Sequence, residues 1–478
     1  MEPGGGNVRV AFKRAWPLVG GIVAVAMVGL AACTLGGQSG SPPADAPETL
    51  TSEVVAAAPT TPVPALAKAP APPPNILLIT VDTLRPDAIG AYGNRRVQTP
   101  NMDRLAREGA LFSSAYTAFS QTNPSHASIF TGAYAATHGL RHHLGSLIKP
   151  SVPTLAQVLR DSSYNTAGIF SWSSLEGPAS GLDRSFETYK GIYVEVKGQT
   201  DVHRGIDGRA DVTTDAVLTY LSKEAKPPLF LWVHYQDPHF PYMPPAPYNE
   251  MYEPACTGCT DGGWEIIDRM AAGEQPSPAD AHRILGLYYG EVSFADTHIG
   301  RAIDSLKRAG SLDNTMVILT ADHGESMGEE GKWSHPYILH DSVLRVPLII
   351  RYPRMVTGGT VVRGLSSTVD IMPTVLEALG FPVPGEVEGR SLWPLINGKS
   401  DGAGRTVVAE VPDSSLIAVY LDKWKLVRDN RTKALRLYDL ATDPAELSDL
   451  ATANPQQASI LERRGKLWMD QHAIEYKD

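Results

Sequence analysis

Cysteine is scarce in this sequence, with three in 478 residues, and that scarcity excludes a disulfide-dense scaffold. Cys256 and Cys259 stand close together in EPACTGCTDGG, but no second pair exists to complete a four-thiolate metal site. In an oxidising compartment these two are expected to close a short disulfide loop, a structural role. An excess of positive charge is also missing. Lys and Arg number 42 against 52 Asp and Glu, a net charge of −10, so bulk electrostatics gives no attraction to nucleic acid. Long apolar runs are confined to one, from about Ala15 to Ala32, which excludes a multi-span membrane enzyme. What is present is an apolar content of 43%, enough for one large soluble domain and a smaller one.

The single apolar run follows Arg9, Lys13 and Arg14, the charge order of an export signal. It closes on Leu30, Ala31, Ala32 and Cys33. Small residues directly before a cysteine resemble the lipobox of bacterial lipoproteins, which implies a signal over 1–32 and a lipid bilayer anchor at Cys33. An uncleaved membrane helix is the competing reading. Both readings place the rest of the chain outside the inner membrane, and the first places it in the bacterial cell envelope. Residues 33–73 are rich in Ala, Pro, Thr and Ser; such a segment buries too little apolar area to offset its ordering entropy and reads as a tether. A catalytic domain is expected over 74–395 and a small C-terminal subdomain over 396–478.

The folded part opens with NILLITVDTLRPDAIGAYG. Ile76 to Val81 is an apolar run without polar alternation, the mark of a strand covered on both faces, and Asp82 follows it. Leu229 to Val233 leads in the same way to His234, Asp237 and His239, and Met316 to Leu319 leads to Asp322 and His323. Helical patterns such as ILGLYYGEVSFADTHIGRAIDSLKRAG separate these runs. Buried strands alternating with helices predict an α/β fold with a mostly parallel sheet, whose sites form beyond the carboxyl ends of the strands. Asp82, Asp322, His323 and the hydroxyl of Thr122 make a mixed oxygen and nitrogen set for a divalent cation, and two carboxylates brought together without one would be costly. Thr122 itself, in QTNPSHASIFTG, reads in two ways. It is a good helix N-cap ahead of Pro124, with Gly132 as the stop, or it is a hydroxyl delivered to the acids.

The motifs VDTLRPDAIGAYG, TPNMDRLAREGALFSSAYT, TNPSHASIFTG, DPHFPY, ADHGESMGEEGKWSHP, RVPLIIRYP and STVDIMPTVLEALG resemble, in order and spacing, those of the sulfatases within the alkaline phosphatase superfamily. DKWKLVRDNRTKALRLYDLATDPAELSDL is similar to that family's small C-terminal antiparallel sheet. The resemblance covers about 74 to 470 and implies an α/β sandwich with a large mixed sheet. It implies a cation at Asp82, Asp322 and His323, and Thr122 at the nucleophile position.

The departures from the family are chemical. Sulfatases carry C-x-P-S-R or S-x-P-S-R, whose first residue is oxidised to formylglycine; here Thr122 and His126 stand at the ends of that motif. Threonine cannot become an aldehyde by that route. T-N-P-S-H instead resembles the T-x-P-N-H of nucleotide pyrophosphatase/phosphodiesterases, whose threonine attacks phosphorus. Thr83 replaces the second acid of the usual Asp-Asp pair, and His323 stands where many sulfatases have Asn. These changes favour zinc or manganese over calcium. His239 and His335 are the candidates for leaving-group protonation or substrate-oxyanion contact, His335 standing where related sulfatases carry lysine. Asp237 with His239 is the alternative start of a second metal site. The expected activity is metal-dependent hydrolysis of an anionic phosphate, phosphodiester or phosphonate ester through Thr122. The alternatives are a sulfatase, and an envelope phosphotransferase or non-catalytic binding protein.

Overall fold

In the strand Asn75–Val81 (β1) all seven residues, NILLITV, are buried, as an apolar run without alternation requires of a strand packed on both faces. It belongs to a computed structural model that describes residues 72–143, 145–194 and 206–474. The expected export signal, Cys33 and nearly all of the tether lie outside the described residues. No helix of the described residues is long and apolar enough to cross a membrane.

Eight strands form the main sheet. After β1 come Ala110–Phe112 (β2), Asn165–Phe170 (β3), Thr188–Gly191 (β4), Leu229–Tyr235 (β5), Thr315–Ala321 (β6), Leu348–Arg351 (β7) and Thr360–Val362 (β8). Their order across the sheet is β8-β2-β7-β6-β1-β5-β3-β4. The pairs β1–β5, β1–β6, β3–β5, β3–β4 and β2–β8 are parallel, and β7 alone runs antiparallel to its neighbours β6 and β2. The sheet is therefore mixed and mostly parallel, as the sequence implied. Helices cover it. Pro278–Arg308 opens on Ser277, whose side chain accepts from Asp280 N, has Pro at its first turn, and ends on Lys307 and Arg308.

Register is what positions the site. Val81 of β1 pairs with Tyr235 of β5 on one side and with Ala321 of β6 on the other. The next residues along β1 and β6, Asp82 and Asp322, therefore leave the sheet at the same level. Thr80 pairs with His234 in the last rungs of β1 and β5.

The C-terminal part is a four-stranded antiparallel meander of Thr406–Glu410 (β9), Leu416–Leu421 (β10), Trp424–Asp429 (β11) and Leu435–Asp439 (β12). Ile417, Val419, Leu426 and Leu437 pack with Leu461, Trp468 and Met469 of the helix Pro455–Gln471. Ala418, Tyr420 and Val427 pack with Tyr116, Leu339 and Leu344 from earlier in the chain. Cys256 and Cys259 are joined in a disulfide within a loop ahead of the long helix.

One buried ion cluster ties this meander to the part of the chain that carries the main sheet. Lys425, fully buried on β11, donates to Asp341 Oδ1 at 2.7 Å and to Glu446 Oε1 at 2.8 Å, and Tyr420 Oη donates to Asp341 Oδ1 at 2.8 Å. Removing one partner of a buried pair leaves the others charged in a low dielectric. Lys425→Ala is predicted to cost about 3–5 kcal/mol, read as a lower denaturant midpoint; a loss within that of an ordinary surface substitution contradicts the assignment.

Candidate active site

Where β1 ends, the chain turns sharply. Thr83 has φ 54° and is fully buried, an unfavourable conformation for a β-branched residue. Its surroundings hold it there: Thr83 N donates to Asp322 Oδ1 at 3.3 Å, Tyr288 Oη donates to Thr83 O at 2.9 Å, and Arg85 N donates to Tyr288 Oη at 3.0 Å. The strained residue thus braces Asp82 against Asp322 from the position of the missing second acid.

Asp322 Oδ1 also accepts from His323 N at 2.8 Å, while Oδ2 is buried without a hydrogen bond. His323 Nδ1 lies 2.9 Å from Gly324 O. A carbonyl only accepts, so Nδ1 carries hydrogen, and Nε2 is the nitrogen whose lone pair is available when the ring is neutral. That Nε2 is 3.6 Å from Asp322 Oδ2, 3.9 Å from Asp82 Oδ1 and 3.4 Å from Thr122 Oγ1. Ligands about 2.1 Å from a shared cation at about the tetrahedral angle lie about 3.4 Å apart. One ligand atom from each of Asp82, Asp322 and His323 falls within 4.8 Å of the others, and all three residues are buried. The electrostatics point the same way. Burial pulls the His323 pKa down, but Asp322 and Asp82 outweigh it and hold it above its ordinary value. The pocket calls for positive charge, and its donor set fits a divalent metal.

Thr122 opens the helix Thr122–Thr131, all ten residues of which are buried, and Gly132 closes it at φ 64°. The N-cap is Gln121, not Thr122. This corrects the capping alternative, because the Thr122 hydroxyl lies against His323 and serves no cap. Gln121 Nε2 donates to His335 O at 2.9 Å, which ties the helix start to the His335 segment.

His126 sits one turn along. Its Nδ1 donates to Thr122 O at 2.8 Å and its Nε2 lies 3.0 Å from Thr80 Oγ1. Burial pulls its pKa down to about 3 against the pull of Asp322. Both ring nitrogens are engaged within the protein, so His126 supports the turn that presents Thr122, a different task from that of the arginine it replaces.

His239 and His335 meet with ring centroids 5.1 Å apart, and His335 is 4.5 Å from the His323 ring. His239 Nδ1 donates to Phe240 O at 2.6 Å and His335 Nδ1 bonds Glu325 Oε1 at 2.9 Å. In each, Nδ1 is the engaged nitrogen. Burial, then the neighbouring His335, lowers His239; burial, then His323, lowers His335. Glu325 is fully buried and also accepts from Tyr242 Oη at 3.0 Å. Sequence reasoning passed over Glu325, although its place two residues after His323 in ADHGES was a usable signal.

Asp237 does not join a second metal group. Its Oδ2 accepts from Ala210 N at 2.7 Å, at the start of the helix Ala210–Lys223. Among the described residues, Asp82, Asp322 and His323 form the one group of three metal-ligating side chains.

Buried acids and imidazoles at the carboxyl edge of a mostly parallel sheet, beside a hydroxyl at a helix start, define a metal-dependent hydrolase. The Sulfatase family profile matches residues 74–381, and that of the N-sulphoglucosamine sulphohydrolase C-terminal region matches residues 328–471. The chain belongs to the sulfatase family, within the alkaline phosphatase superfamily, whose members are metal-dependent hydrolases. It is 26% identical to an N-acetylglucosamine-6-O-sulfatase of Bacteroides thetaiotaomicron, over 83% of this chain and 87% of that one. It is 27% identical to the multifunctional alkaline phosphatase superfamily protein PehA of Trinickia caryophylli, over 84% and 96%. A phosphonate monoester hydrolase structure from Silicibacter pomeroyi shares the fold with a TM-score of 0.67 at 23% identity, covering 84% of this chain and 96% of that chain.

Asp237 carries a pH prediction. Burial, opposed by the Ala210 N–H, pushes its carboxyl up to about 7. A carboxyl that holds its proton more tightly folded than unfolded loses stability as pH rises from its unfolded pKa, roughly 4, and the loss is complete above the folded value. Asp237→Asn removes that loss. The stability of the variant relative to the parent, from denaturant melts, is predicted to climb between pH 4 and 7 and then level off; a pH-independent difference contradicts this.

Proposed function

We propose that this chain hydrolyses phosphate, phosphodiester or phosphonate esters with Thr122 as the nucleophile. One observation carries the reading: the Thr122 hydroxyl is not a helix cap but lies 3.4 Å from His323 Nε2, beside two buried carboxylates. Asp82, Asp322, His323 and Thr122 would hold the cation, with zinc or manganese favoured by the imidazole and calcium the harder alternative. When bound, the cation supplies Lewis acidity toward both nucleophile and anionic ester.

The chain's own residues account for the rest. The start of the Thr122–Thr131 helix presents free N–H groups to an anionic oxygen. Thr122 Oγ attacks phosphorus as its hydroxyl proton passes to Nε2 of His239 or His335; the bond to the leaving oxygen breaks, that oxygen takes the proton from the imidazolium, and a phosphothreonine forms. Water then attacks the phosphothreonine, giving a proton to the same imidazole, which returns it to Thr122 Oγ as the bond from that oxygen to phosphorus breaks. His126 and Gln121 keep the Thr122 turn in place.

Sulfate esters are the second reading, favoured by the sulfatases among the sequence relatives. It must do without formylglycine. Thr122→Ala is predicted to abolish turnover of an aryl phosphate or phosphonate ester at nearly unchanged stability, and Thr122→Ser to keep a measurable fraction. Brief exposure to a slow phosphate ester should leave a phosphate adduct on the Thr122 peptide in intact-protein and peptide mass spectra. Full activity in Thr122→Ala, or efficient sulfate turnover without phosphate turnover, overturns the proposal.

Asp322→Ala is predicted to lose both bound metal and activity while the fold survives. Full metal occupancy in that variant removes the site as drawn. The proposal also places the enzyme in the bacterial envelope through lipid on Cys33; Cys33→Ala should abolish lipid attachment, and unchanged membrane retention with an intact N-terminus favours a membrane helix instead.

A further inference from the structure

A cavity of about 690 Å³ lies between the turn that joins β10 to β11 and the segments that follow β1 and β2 and precede β7. Its volume suits a small molecule. Four acids line it, and each is already engaged within the protein. Asp87 accepts from Arg85 Nε at 2.8 Å and from Arg85 Nη2 at 2.7 Å, and Glu329 accepts from Arg85 Nη1 at 2.6 Å. Asp341 accepts from Lys425 Nζ and Tyr420 Oη, and Asp422 Oδ1 accepts from Gly404 N at 3.2 Å. Among the lining cations Arg85 and Lys423 are matched as well, the latter by Asp439 at 2.6 Å.

The remaining donors are not matched. Arg345 commits one N–H, from Nη2, to Ser113 O at 2.8 Å. Arg363 lines the cavity with no hydrogen bond or ion pair among the described residues, and the Tyr116 hydroxyl has no hydrogen-bond partner among them. Tyr116 is only 4% exposed, with its ring 4.0 Å from that of Tyr420, and a phenol so deeply held ordinarily finds an acceptor. What the cavity leaves open is therefore two guanidinium groups and a phenol, all donors. A guanidinium pairs two of its N–H groups with two oxygens of a carboxylate, phosphate or sulfate. We propose that this cavity is a binding site for the oxyanion group of a small molecule, held by Arg345, Arg363 and Tyr116. It is separate from the metal group but borders it: Arg85, on the cavity wall, donates to Glu325 O at 2.9 Å, and Gly324 N donates to Val343 O at 2.7 Å. The segment that carries Asp322 and His323 is thus fastened to the cavity wall.

The inference does not rest on the proposed reaction. Inorganic phosphate and malonate, a tetrahedral and a planar oxyanion, are titrated by calorimetry into the protein and into Asp322→Ala, whose metal group no longer offers an anion a place. Binding of either anion is predicted to persist in Asp322→Ala. Added to that background, Arg363→Ala should weaken it about 10–100-fold and Tyr116→Phe, which removes only the hydroxyl, about 2–10-fold. Phosphate alone, malonate alone or both binding in this way supports the site and tells which group it takes. Neither anion binding to Asp322→Ala, or affinity unchanged by Arg363→Ala and Tyr116→Phe, overturns it. If Asp322→Ala does not fold, crystals of the parent protein grown with selenate serve. An anomalous selenium peak within hydrogen-bond distance of Arg345, Arg363 and Tyr116 supports the site, and no peak there overturns it. Either result leaves the Thr122 reading to its own tests.

Discussion

Asp82 and Asp322 are two carboxylates with no measurable exposure, delivered side by side by strands that run in exact register. Like charges at that distance in a low dielectric repel strongly unless a proton or a cation lies between them. The architecture around them answers this constraint. His323 turns its lone pair inward because Gly324 O holds its other nitrogen. Thr83 accepts a strained backbone so that its N–H can fasten Asp322. The helix of Thr122 is buried along its whole length to bring one hydroxyl to this point. Local strain and local charge of this kind persist only where the surrounding fold over-determines them.

The parts of this arrangement that follow from chain periodicity were legible in the sequence. Apolar runs without alternation announced β1, β5 and β6, and the acids and imidazoles behind them marked the edge where chemistry collects. Asp82, Asp322, His323 and Thr122 do converge, as those runs implied. What depended on side-chain geometry was not legible. Nothing in TNPSHASIFTG tells that Gln121 and not Thr122 would stand at the N-cap, because the two differ by one residue of helix phase. Asp237 carried the same residue type and strand-end position as Asp82, yet it serves the start of a neighbouring helix. His234 lies inside β5, one residue before its end, where a buried histidine reads as core.

Membership of the sulfatase family fixes the scaffold and the metal requirement, but the substitutions around the nucleophile change what the scaffold can do. An arginine at the end of the family motif is a fixed positive charge, whereas His126, its pKa pulled down by burial, has both ring nitrogens engaged within the protein. A lysine at the place of His335 would likewise be a fixed cation; the imidazole there is held by buried Glu325 and can move a proton. Loss of the formylglycine precursor, loss of two fixed cations and gain of imidazoles form one consistent pattern. The proposal of direct attack by the Thr122 hydroxyl rests on that pattern.

The central claim is that one divalent cation joins Asp82, Asp322, His323 and the Thr122 hydroxyl. Crystals of the metal-loaded protein, measured at the absorption edge of zinc or manganese, locate that ion directly by its anomalous signal. The account predicts a single strong peak about 2.1 Å from a carboxylate oxygen of each aspartate, from His323 Nε2 and from Thr122 Oγ1. A peak centred on Asp237 and His239 instead, or a metal-loaded crystal with no peak among these four residues, would contradict it.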